Sequence, residues 1–463
     1  MSFLIFFFRN PDPFINPVFY AEDGHDYVGP ILTQGFWSTL FTPHINYYVF
    51  GNVILAGIAI KISNILYPDN LLYIPQSIAL VSYIFYGLVA TLPLLLLGDW
   101  IRLPYLIALA LVSSFFPLHD ADAEVLGRVS NVGYSFVYIA FVLIVYRLFC
   151  MKRSRFILLV DFIILICAGT NPVVYLLIPV IYIPYLKQLL IEKKSLKFIF
   201  KTPAFLSAVI LGFLALFKIV YITLNFGMTG TKPTGHFLDS PFILGNAIEM
   251  LIARSMLHPI IYSIYEKFND FVAILVFIVI IIAASLASTK ANRWLFVFGF
   301  YSLLSFTIIA AVFRPGLSAL FNNYTLTGLH RYYYGQNLLA IFLIVLWFHD
   351  MALRIKKNLL RQALMVVMLT IFMTGWRDLS TYGNPAYPMR EIGNFEQSLI
   401  VALKERRFVD IRGIPDSKGR FLEVPIYPRT STWKMVIPKE LAEKSADKGN
   451  IMSSMVKCQS KLR

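Results

Sequence analysis

Eleven apolar runs, most of them close to the length of a membrane crossing, divide the chain between Asn46 and Trp376: 46–66, 74–98, 103–118, 132–150, 156–169, 173–191, 204–226, 271–287, 294–313, 332–350 and 362–376. A helix needs about 20 apolar residues to span roughly 30 Å of hydrocarbon. Backbone at that depth finds no water to bond, so each run is expected to be helical. Composition agrees. Hydrophobic residues make up 58% of the 463, charged residues 14%, and mean hydropathy is +0.67, against roughly 25% charged in a soluble domain. A soluble enzyme could not hide this much apolar surface, and a disordered chain would need far lower hydrophobicity. The expected fold is an all-α polytopic membrane bundle of about 11–12 transmembrane helices over 1–376, followed by a small extramembrane α+β tail over 377–463.

The net charge of +15 would suggest nucleic acid in a soluble chain. Here it reads as orientation, because Lys and Arg concentrate in cytoplasmic loops. Lys152-Arg153-Ser154-Arg155, Lys187 to Lys201, Lys290 to Arg293 and Arg354 to Arg361 are the markers. Loops 170–172, 227–270 and 314–331, and the tail, then face the other side, as do 9–45 and 119–131. That requires an even number of crossings in 46–118, where three apolar segments occur; one of them is expected to be re-entrant or to lie along the surface. Met1–Phe8 reads as the last turns of a membrane helix, with no signal-peptide cleavage pattern behind it, so a longer start upstream is expected. Cys150, Cys167 and Cys458 have neither disulfide-framework nor zinc spacing.

The tail is different material, with 16 Lys and Arg and 10 Asp and Glu. Alternation in Gly419-Arg420-Phe421-Leu422-Glu423-Val424 and Trp433-Lys434-Met435-Val436-Ile437 predicts short strands.

Acidic residues are scarce, so their places carry information. Phe19-Tyr20-Ala21-Glu22-Asp23-Gly24-His25-Asp26 leads through an amphipathic stretch, 27–41, to Pro43-His44. His119-Asp120-Ala121-Asp122-Ala123-Glu124 precedes Gly127-Arg128-Val129-Ser130-Asn131. Both read either as helix-capping acids in solvated loops or as carboxylates at a membrane boundary, where unpaired charge is costly and marks function. Arg314-Pro315-Gly316 and His330-Arg331-Tyr332-Tyr333-Tyr334-Gly335 form a third cluster, either an interfacial tyrosine belt or a phosphate site, since the planar guanidinium binds two oxygens at once. The long 227–258 loop adds Lys232, His236, Asp239, Arg254 and His258. Asp161 interrupts an apolar run and receives no role.

An N-terminal apolar segment, an outer loop with an acidic pair and roughly ten more helices resemble the GT-C superfamily of integral-membrane glycosyltransferases. Ala21-Glu22-Asp23-Gly24 with Gly35, Leu40-Phe41 and Pro43, then Glu124, Gly127 and Ser130-Asn131, and Arg331-Tyr332-Tyr333 opening a late helix, look like bacterial members; the nearest likeness is to serotype-converting O-antigen glucosyltransferases. The resemblance implies a polyprenyl-phosphate sugar as donor, a cell-envelope glycan or lipid-linked acceptor, and inverting transfer on the periplasmic face of a bacterial inner membrane. It maps the general base onto Asp23, with Glu22 competing, and further catalytic acids onto Asp122 and Glu124. Arg331, with Arg254, Tyr333 and Lys232 beside it, would hold the donor phosphate. His25, Asp26, His44, Asp120, Arg128, Asn131, Arg314 and His330 would line the acceptor side. Whether a divalent metal sits between the acids stays open, as superfamily members differ. Two alternatives stand beside it: an O-antigen polymerase, with key arginines in long loops, and a lipid-linked sugar transporter or flippase, with ionisable groups inside its helices.

Overall fold

The computed structural model describes residues 2–44, 48–116, 122–150, 156–193, 203–225, 251–257, 292–313, 331–376, 395–416, 419–427 and 433–448, together with Leu275, Ile278, Val279, Ile282 and Thr289. The chain opens with α1 (Ser2–Arg9) and α2 (Asp12–Ile15), then a π-helical turn, Asp23–Val28, running directly into α3 (Gly29–Gln34) and α4 (Phe36–Phe41). The bundle continues with α5 (Phe50–Leu66), α6 (Ile74–Leu96), α7 (Leu103–Phe115), α8 (Asp122–Val125), α9 (Ser135–Val145) and α10 (Ile157–Thr170). Longer helices follow at Pro203–Asn225, Arg293–Phe313, Tyr334–Arg354 and Asn358–Trp376. Pro75 and Pro104 sit in the first turns of α6 and α7, where the missing N–H has no intrahelical partner to lose. The run 173–191 is broken into Val174–Leu177, a 3₁₀ stretch Ile178–Tyr182 and Ile183–Leu190, each break falling at a proline.

Among the described residues three helices are long and apolar enough to cross a membrane: Leu71–Leu96, Ser130–Phe149 and Arg331–Arg354. Shorter apolar helices account for most of the other runs. The run 271–287 lies almost entirely outside the described residues. Every residue of α9 is buried, which places this uniformly apolar helix at the centre of the bundle.

Two hydrophobic cores meet at α6. The larger one joins α6, α7, α9, α10 and Tyr334–Arg354 through residues such as Tyr83, Val112, Phe141, Ile164 and Phe342. The smaller one gathers Phe19, Tyr27 and Val28 from the first loop, Val53 and Ala56 from α5, and Ile74 and Ile78 from α6. Leu399, Leu422, Val424, Met435 and Ile437 of the tail complete it. The tail itself is a helix, Phe395–Lys404, a three-stranded antiparallel sheet of β1 (Phe408–Val409), β2 (Phe421–Pro425) and β3 (Lys434–Pro438), and a helix over 439–448. The β2–β3 register pairs Leu422 with Ile437 and Val424 with Met435, so both inward rows are apolar.

The 46–66 run does not carry the chain across the bundle. At its start, Thr170 Oγ1 accepts from the Gly51 N–H at 2.8 Å, and Asn52 Nδ2 donates to the Val129 and Ser130 carbonyls. Just past its end, the Leu71 N–H donates to Ser445 Oγ, Lys448 donates to the Pro68 carbonyl, and Lys444 faces Asp69. Both ends of α5 therefore stand at the tail-bearing end. Of the three apolar segments in 46–118, the one carrying α6 is long and apolar enough to cross a membrane, and α5 and α7 are shorter. One face of α5 packs on the first loop, α6 and α10, with Gly57 against Phe36 and Gly51 against Phe136, while Ile58, Ile65 and Leu66 stay exposed.

Two polar knots lie deeper. Arg147, in the π turn Tyr146–Cys150, donates from Nε to Asp161 Oδ1 at 2.7 Å, and Ser207 Oγ donates to Asp161 Oδ2. At the end opposite the tail, Asp350 accepts from the Thr289 N–H at 2.8 Å and from Asn292 Nδ2, tying the start of Arg293–Phe313 to the end of Tyr334–Arg354. His349 Nε2 there accepts from the Arg102 N–H. The basic residues 354–361 follow at this same end.

Candidate functional site

The acid-bearing loop starts from Ala21, whose φ of +27° is a left-handed conformation that residues with a Cβ rarely adopt. From there the π turn carries Asp23 inward until it is 1% exposed. Its Oδ1 accepts the Val129 and Ser130 N–H groups at 3.1 and 2.7 Å. Oδ2 is buried and has no hydrogen-bond partner among the described residues. Burial pushes the Asp23 carboxyl up to about 7; nearby Arg128 and the two backbone donors pull the other way, and Glu22 adds to the rise.

The turn that receives Asp23 is held from several directions. Gly127 takes φ +77°, and a Cβ there would meet Pro13 Cβ at 2.5 Å, so only glycine fits. Arg128 is buried, donates to the Val18 carbonyl at 3.1 Å and lies over the Tyr20 ring at 4.9 Å. Its own carbonyl accepts from Ser82 of α6. Burial lowers the Arg128 pKa and the Asp23 charge raises it again, as expected for opposite charges sharing a low-dielectric site.

Tyr20 joins this pair to the next. Its hydroxyl donates to Glu124 Oε1 at 3.2 Å, and the other Glu124 oxygen forms an ion pair with an Arg331 terminal nitrogen. Arg331 also donates to the Tyr332 hydroxyl at 3.0 Å and covers its ring. Asn131 donates to the Glu124 carbonyl. The Arg331 and Glu124 side chains keep 26% and 16% exposure, making this ion pair the more open part of the cluster. Burial and Glu124 both raise the Tyr20 hydroxyl above its ordinary range.

Residues 20, 23, 124, 128, 131 and 331, drawn from three distant stretches of sequence, thus form one connected group. Glu22 is half-buried beside it. His25, Asp26 and His44 cluster separately, toward the tail: His25 Nδ1 contacts the Lys434 carbonyl at 2.6 Å, and both histidines act on Asp26, whose carboxyl burial pushes upward. Arg254 is fully buried in the π turn Leu251–Leu257, electrostatically close to Tyr333, and its carbonyl accepts from Asn337. Asp122 opens α8. Asp120, Lys232, Arg314 and His330 lie outside the described residues.

Tyr20, Asn52 and Ser82 were not legible as site residues. Tyr20 reads from sequence as one more interfacial aromatic, and the other two as ordinary polar positions in apolar runs. Among the described residues no group of three or more His, Cys, Asp or Glu is placed to hold a metal ion. In comparisons with known proteins, no family model, curated protein or solved structure matches the chain.

Proposed function

We propose that the protein is a membrane glycosyltransferase, moving a sugar from a polyprenyl-phosphate donor to an envelope acceptor on the face that carries the tail. The observation that supports this reading most is the convergence of Asp23, Tyr20, Glu124, Arg128 and Arg331 at one end of an apolar bundle. A phosphate leaving group develops negative charge, and a fixed guanidinium stabilises it without proton transfer. Arg331, partly exposed and at the start of a span, is suited to that role, with Glu124 holding it while no anion is bound. A carboxylate opposite would take the proton of the acceptor hydroxyl and give inversion. Asp23 is shielded in this state, so its use as base requires the 20–24 segment to open; Glu22, nearer solvent, is the competing base.

The deciding experiment supplies purified protein with polyprenyl-phosphate sugars and follows donor consumption. Sugar release or transfer supports the reading, and donor left intact across the panel removes it. Replacing Arg331 with Lys should raise the donor KM roughly tenfold, about 1.4 kcal/mol, as a bidentate fork becomes a point charge; unchanged donor use would return Arg331 to a membrane-anchor role. Cysteines placed at exposed positions of 10–44 and at half-buried Ser130 should label from the side opposite the basic 354–361 segment. Labelling of the two loops from different sides would dismantle the shared site.

A second reading has one observation in its favour. The buried Arg147–Asp161 pair is the kind of interior ionisable group a lipid-linked sugar transporter would use. Movement of intact donor across vesicles, without its consumption, would favour that reading.

A further inference from the structure

We infer that Tyr427 of the tail is a positioning residue, gripping Phe19–Ala21 through its backbone and thereby holding Asp23 against the 129–130 turn. The Tyr427 N–H donates to the Phe19 carbonyl at 3.1 Å, and the Ala21 N–H donates to the Tyr427 carbonyl at 2.5 Å. This parallel bridge brackets Tyr20 and ends on Ala21, two residues before Asp23. Left-handed backbone at a residue with a Cβ costs free energy and persists only where its surroundings impose it. Here the surroundings are the tail. The Tyr20 and Tyr427 rings also meet at 5.7 Å, so Tyr20 is confined between Tyr427 and Arg128 with its hydroxyl on Glu124.

The contact continues along the π turn. A Cβ at Gly24 would stand 2.7 Å from Ile426 Cδ1, and one at Gly29 would stand 3.2 Å from Met435 Cγ and 3.3 Å from the Val436 carbonyl. Sheet and loop approach this closely only because both positions lack side chains. The tail is bonded at its far end as well, through Ser445 and Lys448 to 68–71. A passive cover would need none of these backbone bonds. They make the tail one wall of the site.

The test compares Tyr427→Pro, which removes the N–H donor, with Tyr427→Ala, which removes the ring and keeps the bridge. Amide hydrogen exchange is read at Val129 and Ser130, the donors to Asp23. One lost hydrogen bond, about 1 kcal/mol, should speed exchange at both amides about fivefold in Tyr427→Pro, and leave it near wild type in Tyr427→Ala. Unchanged exchange in the proline variant with its 434–437 amides still protected would overturn the inference. Should that variant fail to accumulate, wild-type protein decides: Ala21, Tyr427, Val129 and Ser130 should open together with one dependence on denaturant, and independent opening of the 129–130 amides would also overturn it.

The exchange result stands apart from the proposed activity. Where transfer is measurable, the pH profile adds a readout that a merely structural contact would leave in place. The groups facing Asp23 are Arg128, Glu22 and the Tyr86 phenol. Loosening the clamp admits water to Asp23, so the acid limb of the profile should move down by about one pH unit or more in Tyr427→Pro. A donor that is never consumed, with exchange behaving as stated, would remove the transferase reading and leave the positioning role.

Discussion

Asp23→Asn is expected to abolish sugar transfer while the protein folds at least as well as before. Asparagine keeps an oxygen that can accept the Val129 and Ser130 N–H groups, so the clamp on the turn survives. What disappears is a charge held in a buried site where Oδ2 has no hydrogen bond. The carboxyl stands at about 7 against an ordinary 3.8. The folded state therefore binds this proton more tightly than the unfolded chain does. Its contribution to stability is greatest below about pH 4, falls as pH rises toward 7 and then levels off. The three-unit difference corresponds to at most about 4 kcal/mol. Unfolding of Asp23→Asn in detergent should accordingly match wild type near pH 4 and exceed it at pH 8. As a base the same group must be ionised, so wild-type transfer should rise with pH through about 7. Full activity in the asparagine variant, with its enhanced stability, would assign Asp23 to structure and leave Glu22 as the base.

Arg147→Leu should cost about 3–5 kcal/mol, because it strands Asp161 as an uncompensated charge among three helices. The present pair shares two hydrogen bonds and receives a third from Ser207. Both partners are almost fully buried, with side chains 2% and 5% exposed. Replacing both, as Arg147→Met with Asp161→Leu, should recover most of the loss, since well-packed apolar residues often substitute for a buried pair without penalty. Thermal unfolding in detergent and steady-state abundance would report both. A double variant as unstable as the single one would show that the pair sets helix register. Loss of vesicle transport in a stable double variant would point to the transporter reading.

Much of the architecture was legible in the chain. Periodicity and run length located α6, α7, α9 and α10, and alternation located β2 and β3. The scarcity of carboxylates marks Asp23 and Glu124 in the sequence itself. The 46–66 run was ambiguous from sequence because apolar composition reports burial without saying what does the burying. In α5 the buried face packs on α6, α10 and the first loop. Asp161 and Arg147 lie 14 residues apart, and Asp350 lies 58 beyond Asn292; no local spacing marks either pair.

By itself the sequence determined helicity, the apolar bundle and the small tail sheet, since these follow from side-chain transfer energies and short-range periodicity along one stretch of chain. Only the tertiary structure decided that α5 stays at one end, that Tyr20 links Arg128 to Glu124, and that Tyr427 grips the acid-bearing loop. Those contacts join segments separated by 100 to 400 residues. Their energy comes from close packing and buried hydrogen bonds, which have no value until the chain has closed on itself.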